Sequence, residues 1–157
     1  MHRLDKDTSG IIIVAKSDLA HRGLAKQFKN RTVERKYAAL VEGIVKFDND
    51  QINLPIAKHP RDREKMAVGY TNAKEAITVY KVIKRFKDST LLEIMPITGR
   101  THQIRVHMKA IGHPIAGDKK YGARTNPYGR QALHAKWIRF FHPVLKKYME
   151  FSCEAPF

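Results

Sequence analysis

His2-Arg3-Leu4-Asp5-Lys6-Asp7-Thr8-Ser9-Gly10 gathers four charged side chains, one imidazole, two hydroxyls and a glycine into nine residues. Ile11-Ile12-Ile13-Val14-Ala15 follows at once. That run is short, apolar and mostly β-branched, so it reads as a buried strand. A polar turn feeding a buried strand holds its side chains in fixed directions, and sites on rigid elements are better defined than sites on free loops. Asp, Thr, Ser and Gly are also ordinary turn formers, so local chemistry alone leaves a plain turn open.

Outward from this stretch the chain alternates short strands with two helices. Ser17-Asp18 has the composition of a helix N-cap. Leu19, Ala20, Leu24, Ala25 and Phe28 then recur at helical spacing, with His21, Arg22, Lys26 and Lys29 on other faces. That basic set fits a solvated face, or the rim of an RNA groove. Val33 to Val41 reads as a strand and Phe47-Asp48-Asn49-Asp50 as a turn. Residues 55–68 carry few core signals but bring Lys58, His59, Arg61, Arg63 and Lys65 together. They fit a mobile solvated loop or a phosphate-contacting one. Ala73 to Ile83 and Thr90 to Ile97 read as a hairpin closed at Phe86-Lys87-Asp88-Ser89. Arg100 to Ile111 reads as a helix, ended by Gly112-His113-Pro114. Residues 118–131 look like basic loop. Leu133 to Phe141 and Tyr148 to Cys153 read as a closing strand pair. The expected class is α+β, with a mixed, largely antiparallel sheet and flanking helices, in a single domain over residues 1–157.

The formal charge is +15, from 30 basic against 15 acidic residues. Such an excess points to a polyanionic partner, nucleic acid first. No basic amphipathic helix with a Trp/Phe/Leu face suggests a membrane surface, and no apolar stretch approaches transmembrane length. The only cysteine is Cys153, so no intrachain disulfide forms. With no leader pattern read, a reducing, cytoplasmic setting is expected.

The opening motif resembles the signature of the RluA-type pseudouridine synthases, in which the aspartate after Arg-Leu is the catalytic residue. Three further blocks resemble the same family in the same order. They are Arg35-Lys36-Tyr37-Ala38-Ala39-Leu40-Val41-Glu42-Gly43; Thr98-Gly99-Arg100-Thr101-His102-Gln103-Ile104-Arg105-Val106-His107, with its continuation through Gly117-Asp118 to Tyr121-Gly122; and Leu133-His134-Ala135 with Phe140-Phe141-His142-Pro143. The resemblance covers most of the chain. It implies Asp5 as the catalytic carboxylate, Arg105 as the cation that keeps it ionised and aimed, and Tyr37 as a flat wall for the base and a proton acceptor. It implies RNA contacts for His2, Arg3, Arg35, Arg100, His102 and Gln103. Arg35 stands where the family often has lysine, which keeps the charge. The substrate implied is a uridine in ribosomal or transfer RNA, with no cofactor and no obligate protein partner, so a monomer is expected. The family has an N-terminal part before this motif, so the resemblance also implies a truncated chain. An RNA-binding fragment without activity is the second reading.

His102, His107 and His113, with Asp118, invite a metal site. Their spacing matches no usual zinc pattern, and packing or hydrogen-bonding roles are favoured. Gly99, just before the expected helix, suggests a weak phosphate site at the helix start.

Overall fold

The computed structural model describes residues 2–69 and 71–157. Among these residues, nine strands, two α-helices and a short 3-10 turn follow in the order β1 (Ser9–Gly10), α1 (Asp18–Lys29), β2 (Glu34–Glu42), β3 (Asn49–Asn53), β4 (Ile56–Lys58), β5 (Met66–Val68), β6 (Ile77–Arg85), β7 (Ser89–Pro96), α2 (Gln103–Ala110), the turn (Lys119–Tyr121), β8 (Leu133–Phe141) and β9 (Tyr148–Ser152). One sheet runs β1-β8-β2-β7-β6-β3, with β9 also on β8, and β4 and β5 form a separate hairpin. Among the described residues, only β1 against β8 is a parallel pair in this sheet. The expected mixed, largely antiparallel sheet is what forms.

Ser17 caps α1 as its sequence suggests, accepting from the Ala20 N–H at 3.3 Å. Leu24 and Phe28 pack α1 onto Val33, Ile138 and Phe140. Ile104 and Met108 pack α2 onto Tyr37, Leu92, Ile94 and Leu133. Both helices lie on one face of the sheet, because β8 pairs Ala135 with Tyr37 and Ile138 with Arg35 across an irregularity at Lys36/Tyr37. The extra residue, Lys136, is taken up by this bulge, so the inward face continues past it. The gap between α1 and α2, floored by β2, is where the site forms.

Four sequence expectations change. Ile11–Ala15 is not a strand. β1 ends at Gly10, and only the Ile11 N–H still reaches β8, on the Ala135 carbonyl at 3.0 Å. From Trp137 onward the same edge of β8 belongs to β9, so residues 11–15 peel away. Ile11, Ile13 and Ala15 still cover the α1 cluster, while Ile12 and Val14 face solvent. The 47–50 turn is cut short by β3, an edge strand whose only buried residue is Ile52. Polar edge strands of this kind carry little hydrophobic signal. Residues 55–68 contain the β4–β5 hairpin, and the tip is ordered by its own side chains. His59 Nδ1 accepts from the Arg61 and Asp62 N–H groups at 3.2 and 3.1 Å. Finally, α2 begins at Gln103 rather than Arg100, because His102 is left-handed at φ 54°.

Candidate active site

The opening loop is anchored from the far end of the chain. Gln131 Nε2 donates to the Lys6 carbonyl at 3.1 Å and to Thr8 Oγ1 at 2.6 Å, and Arg130 Nη1 donates to the Asp7 carbonyl at 3.2 Å. His134 Nε2 donates to the Cys153 carbonyl at 3.1 Å, so its Nδ1 accepts the Ser9 hydroxyl at 2.8 Å. Gly10 has φ +112°, and a Cβ there would collide with the Ala135 carbonyl. Only glycine lets the loop sit this close to β8. The serine and glycine of the motif therefore hold the loop, and the loop holds Asp5.

Asp5 lines a pocket of about 550 Å³ between α1 and α2, together with His2, Arg3, Phe28, Arg35, Tyr37, Arg100, His102, Gln103 and Arg105. The nine residues that the resemblance implies as catalytic or RNA-contacting all border this cavity, whereas His21, Arg22, Lys26 and the basic residues of 55–68 do not. Asp7, two positions on, is exposed, in a left-handed conformation, and outside the pocket wall.

Arg105 is buried on α2 and divides its guanidinium between two carboxylates. Nε and Nη2 donate to Asp118 at 2.7 and 2.9 Å, and Nη1 reaches Asp5 at 3.4 Å. The Asp118 side chain is 2% exposed and that of Asp5 17%. Burial alone would lower the Arg105 pKa. The hydrogen bonds and charge of Asp118, and then the charge of Asp5, outweigh it and hold the guanidinium above its ordinary value. The Tyr121 ring lies under the same guanidinium at 4.8 Å. Burial, opposed by the Arg35 charge and helped to a smaller extent by Asp5, raises the Tyr37 hydroxyl and keeps it protonated. The pocket thus presents an anion, a fixed cation and a neutral phenol to whatever enters.

Comparison with known proteins places the chain in a family. The family model for RNA pseudouridylate synthase matches residues 1–110. The chain belongs to the RNA pseudouridylate synthase family. It is 50% identical over 157 residues to "Uncharacterized RNA pseudouridine synthase YlyB" of Bacillus subtilis (strain 168), covering 99% of this chain and 52% of that one. It is 48% identical over 153 residues to "Ribosomal large subunit pseudouridine synthase D" of Nitrosomonas europaea, covering 91% and 44%. The solved structure of Human RNA Pseudouridylate Synthase Domain Containing 1 superposes with a TM-score of 0.89 at 31% identity, covering 99% of this chain and 68% of that one. The chain spans about half the length of the curated relatives it matches. These names and the four motif blocks place it with the RluA-type synthases.

Within this pseudouridylate synthase fold the remaining site residues divide by what their polar atoms do. Gln103 is 4% exposed. Its amide nitrogen donates to the Ile77 carbonyl at 2.9 Å and to Thr78 Oγ1 at 3.0 Å, while its oxygen accepts from Thr98 Oγ1 at 2.6 Å and the Arg100 N–H at 2.9 Å. It borders the cavity, but its hydrogen bonds fix the start of α2. The same bond on the Arg100 N–H occupies a donor that the Gly99 phosphate reading would need. Arg100 leans on the Glu75 carbonyl through Nε at 2.8 Å. Arg3 is exposed at the cavity wall. Arg35 donates through Nη2 to the Pro96 and Thr98 carbonyls at 3.2 and 3.4 Å and lies over the Phe28 ring. His2 stacks on Phe28 at 5.1 Å and accepts the Ile13 N–H on Nδ1 at 3.3 Å. Burial, and then the Arg35 charge, lower its pKa to about 4. Among the described residues, His2 Nε2 and Arg35 Nε are buried without a hydrogen-bond partner.

The histidines that suggested a metal are held apart by other bonds. His107 donates through Nε2 to the Leu54 carbonyl and accepts the Thr78 hydroxyl on Nδ1, both at 2.9 Å. His113 Nδ1 bonds the Glu42 carbonyl at 2.8 Å. His102 Nδ1 meets Tyr121 Oη at 2.7 Å. That hydroxyl already accepts the Met66 N–H at 3.0 Å, and donating its own proton to His102 satisfies both groups, so we assign the bond in that direction. His102 is thereby fixed with its proton on Nε2. Burial, the largest influence, holds its imidazole below its ordinary pKa and favours the neutral ring.

Sequence reasoning missed two residues that matter here. In the sequence Asp118 stands out only as part of a motif block and as a possible metal ligand, and Tyr121 only as the end of that block. A buried arginine on an apolar helix face demands a carboxylate, and Asp118 was available to supply it.

Proposed function

We propose that this chain carries the catalytic site of an RNA pseudouridine synthase that isomerises particular uridines in ribosomal or transfer RNA. The observation that carries the reading is the position of Asp5, in the pocket wall and within 3.4 Å of Arg105, which is itself locked to Asp118. The reaction breaks the bond between the sugar C1′ and uracil N1, then joins C1′ to uracil C5; C5 gives up its proton and N1 takes one up, so the product is an isomer of the substrate. It needs a carboxylate close to the sugar, ionised but not wholly occupied. Asp118 takes the tight, two-pronged pair. Asp5 is left with one long contact and free oxygens for attack at the sugar or removal of a sugar proton. Tyr37 supplies the flat, uncharged wall against which the detached base turns. His102, with its proton on Nε2, supplies a hydrogen-bond donor for a uracil carbonyl as negative charge develops on the ring.

The target base has to leave its stack first. Arg3, exposed beside the pocket, fills the gap it leaves, and Arg35, Arg100 and the basic tip of the β4–β5 hairpin hold phosphates. With this much basic surface, binding falls steeply as salt rises, because each neutralised phosphate releases counterions. All the required groups are side chains, so activity needs no cofactor. The test is pseudouridine formation on unmodified ribosomal and transfer RNA transcripts after treatment with EDTA. The reading expects turnover unchanged by the chelator. Binding without turnover would favour the inactive RNA-binding reading, and activity restored by a metal would contradict the one proposed.

A further inference from the structure

Helix α1 borders two cavities. Ala25, Phe28 and Lys29 line the pocket around Asp5. Leu19, Arg22 and Lys26 line a second cavity of about 500 Å³, closed on its other side by Pro143 and Lys146 from the β8–β9 connection and by Tyr148 at the start of β9. The second cavity has a firm frame. Gly23 lies so close to Pro143 that a Cβ would collide with its ring. The Gln27 amide donates to the Phe141 carbonyl at 2.7 Å and accepts the Phe141 N–H at 2.9 Å, tying helix to strand. His142 Nδ1 accepts the Val144 and Leu145 N–H groups at 3.2 and 3.1 Å and sets the turn.

Its chemistry is one-sided. Arg22, Lys26 and Lys146 are exposed, and none has a carboxylate within 4 Å among the described residues. No acidic side chain lines the cavity. Leu19 and Tyr148 are 56% and 63% exposed and give it apolar walls. Arg22, Lys26 and Lys29 stand four and three residues apart, so they form one stripe along the helix. The stripe covers about 10 Å at ~1.5 Å per residue. It starts in the second cavity and ends at Lys29 in the catalytic pocket.

We propose that the RNA strand feeding the catalytic pocket lies along this stripe and that the second cavity takes an unpaired nucleotide of the same strand. This rests on the pseudouridine synthase reading. The base packs on Tyr148 and Leu19, and neighbouring phosphates meet Arg22, Lys26 and Lys146. Aromatic surface interleaved with cations is the usual platform for single-stranded nucleic acid. At ~3.4 Å per stacked nucleotide, the cavity lies about three nucleotides from the target. An acidic protein segment would also suit the charges, but the unbroken run of cations into the catalytic pocket favours RNA.

The test compares two single-stranded RNA oligonucleotides in a fluorescence binding assay, one holding only the target uridine and one neighbour on each side and one extending several nucleotides past it on each side. The double substitution Arg22→Glu/Lys26→Glu should weaken the longer RNA about tenfold or more and the shorter one much less. Tyr148→Ala should weaken the longer RNA about fivefold or more, with recovery in Tyr148→Phe. A 4-thiouridine placed about three nucleotides from the target should photocrosslink near Tyr148. Arg22→Gln/Lys26→Gln, a milder change at the same exposed positions, should give a smaller loss of the same pattern. Equal loss on both RNAs, or absence of a crosslink at this cavity, would overturn the proposal. So would binding of polyglutamate that depends on Tyr148 while RNA affinity does not. Binding is read without turnover, so a chain that binds the longer RNA as described but makes no pseudouridine would count against the catalytic reading alone.

Discussion

Arg105 holds Asp118 by two short hydrogen bonds and Asp5 by one long one, at 2.7, 2.9 and 3.4 Å. The asymmetry separates structure from chemistry. The tight pair fixes the guanidinium and the loose one leaves a carboxylate available. Removing one partner of a buried pair leaves an uncompensated charge, so Asp118→Ala and Arg105→Met should each destabilise the fold by about 3–5 kcal/mol. The double variant should cost clearly less than the sum of the two. Asp5→Ala should cost much less than Asp118→Ala. Urea unfolding of the variants checks the order.

Tyr121 acts on the site through His102. Tyr121→Phe removes the proton that holds His102 Nδ1 as an acceptor. Nitrogen-15 NMR of the histidine ring should show a single form protonated on Nε2 in the wild type and a mixture in Tyr121→Phe. If His102 donates to the uracil carbonyl, His102→Ala should lower kcat by about 10²–10³-fold. Tyr121→Phe should lower it less. A wild-type ring protonated on Nδ1 would contradict the assignment.

His2 makes stability depend on pH. An unfolded imidazole binds a proton near 6.5 and the folded His2 only near about 4. The unfolded state therefore binds more protons between these values, and stability rises with pH across the window. Cooling of the transition should be seen as pH falls from 6.5 toward 4, levelling below that. His107 is also depressed, by burial, and adds to the same limb. His2→Gln, which cannot titrate, should flatten the limb without abolishing it. Thermal melting against pH is the measurement.

Much of the fold is legible in the sequence. The Ser17 cap, the apolar spacing of α1, the long strands β2 and β7 and the closing pair β8–β9 all follow from local pattern. Ile11–Ala15 misled because its pattern cannot show that β9 takes the edge it would need. Strand β3 was hidden because an edge strand with one buried residue looks like a turn. At the site, residues in the motif blocks came together as the resemblance implied, since the blocks carry them in order. The Arg105–Asp118 lock, the shared hydroxyl of Tyr121 and the saturated amide of Gln103 depend on which atoms meet after folding. Spacing along the chain does not encode them.

The central claim is that Asp5 is the catalytic carboxylate, and one comparison tests it most directly. Pseudouridine formation on unmodified ribosomal and transfer RNA transcripts is measured for the wild type, Asp5→Asn and Asp7→Asn, alongside RNA affinity. Asparagine keeps the shape of aspartate but lacks both its charge for attack at the sugar and its basicity. Asp5→Asn should abolish turnover with RNA affinity nearly unchanged, because binding rests on many phosphate contacts elsewhere. Asp7→Asn should remain active. Turnover retained in Asp5→Asn, with or without its loss in Asp7→Asn, would contradict the account.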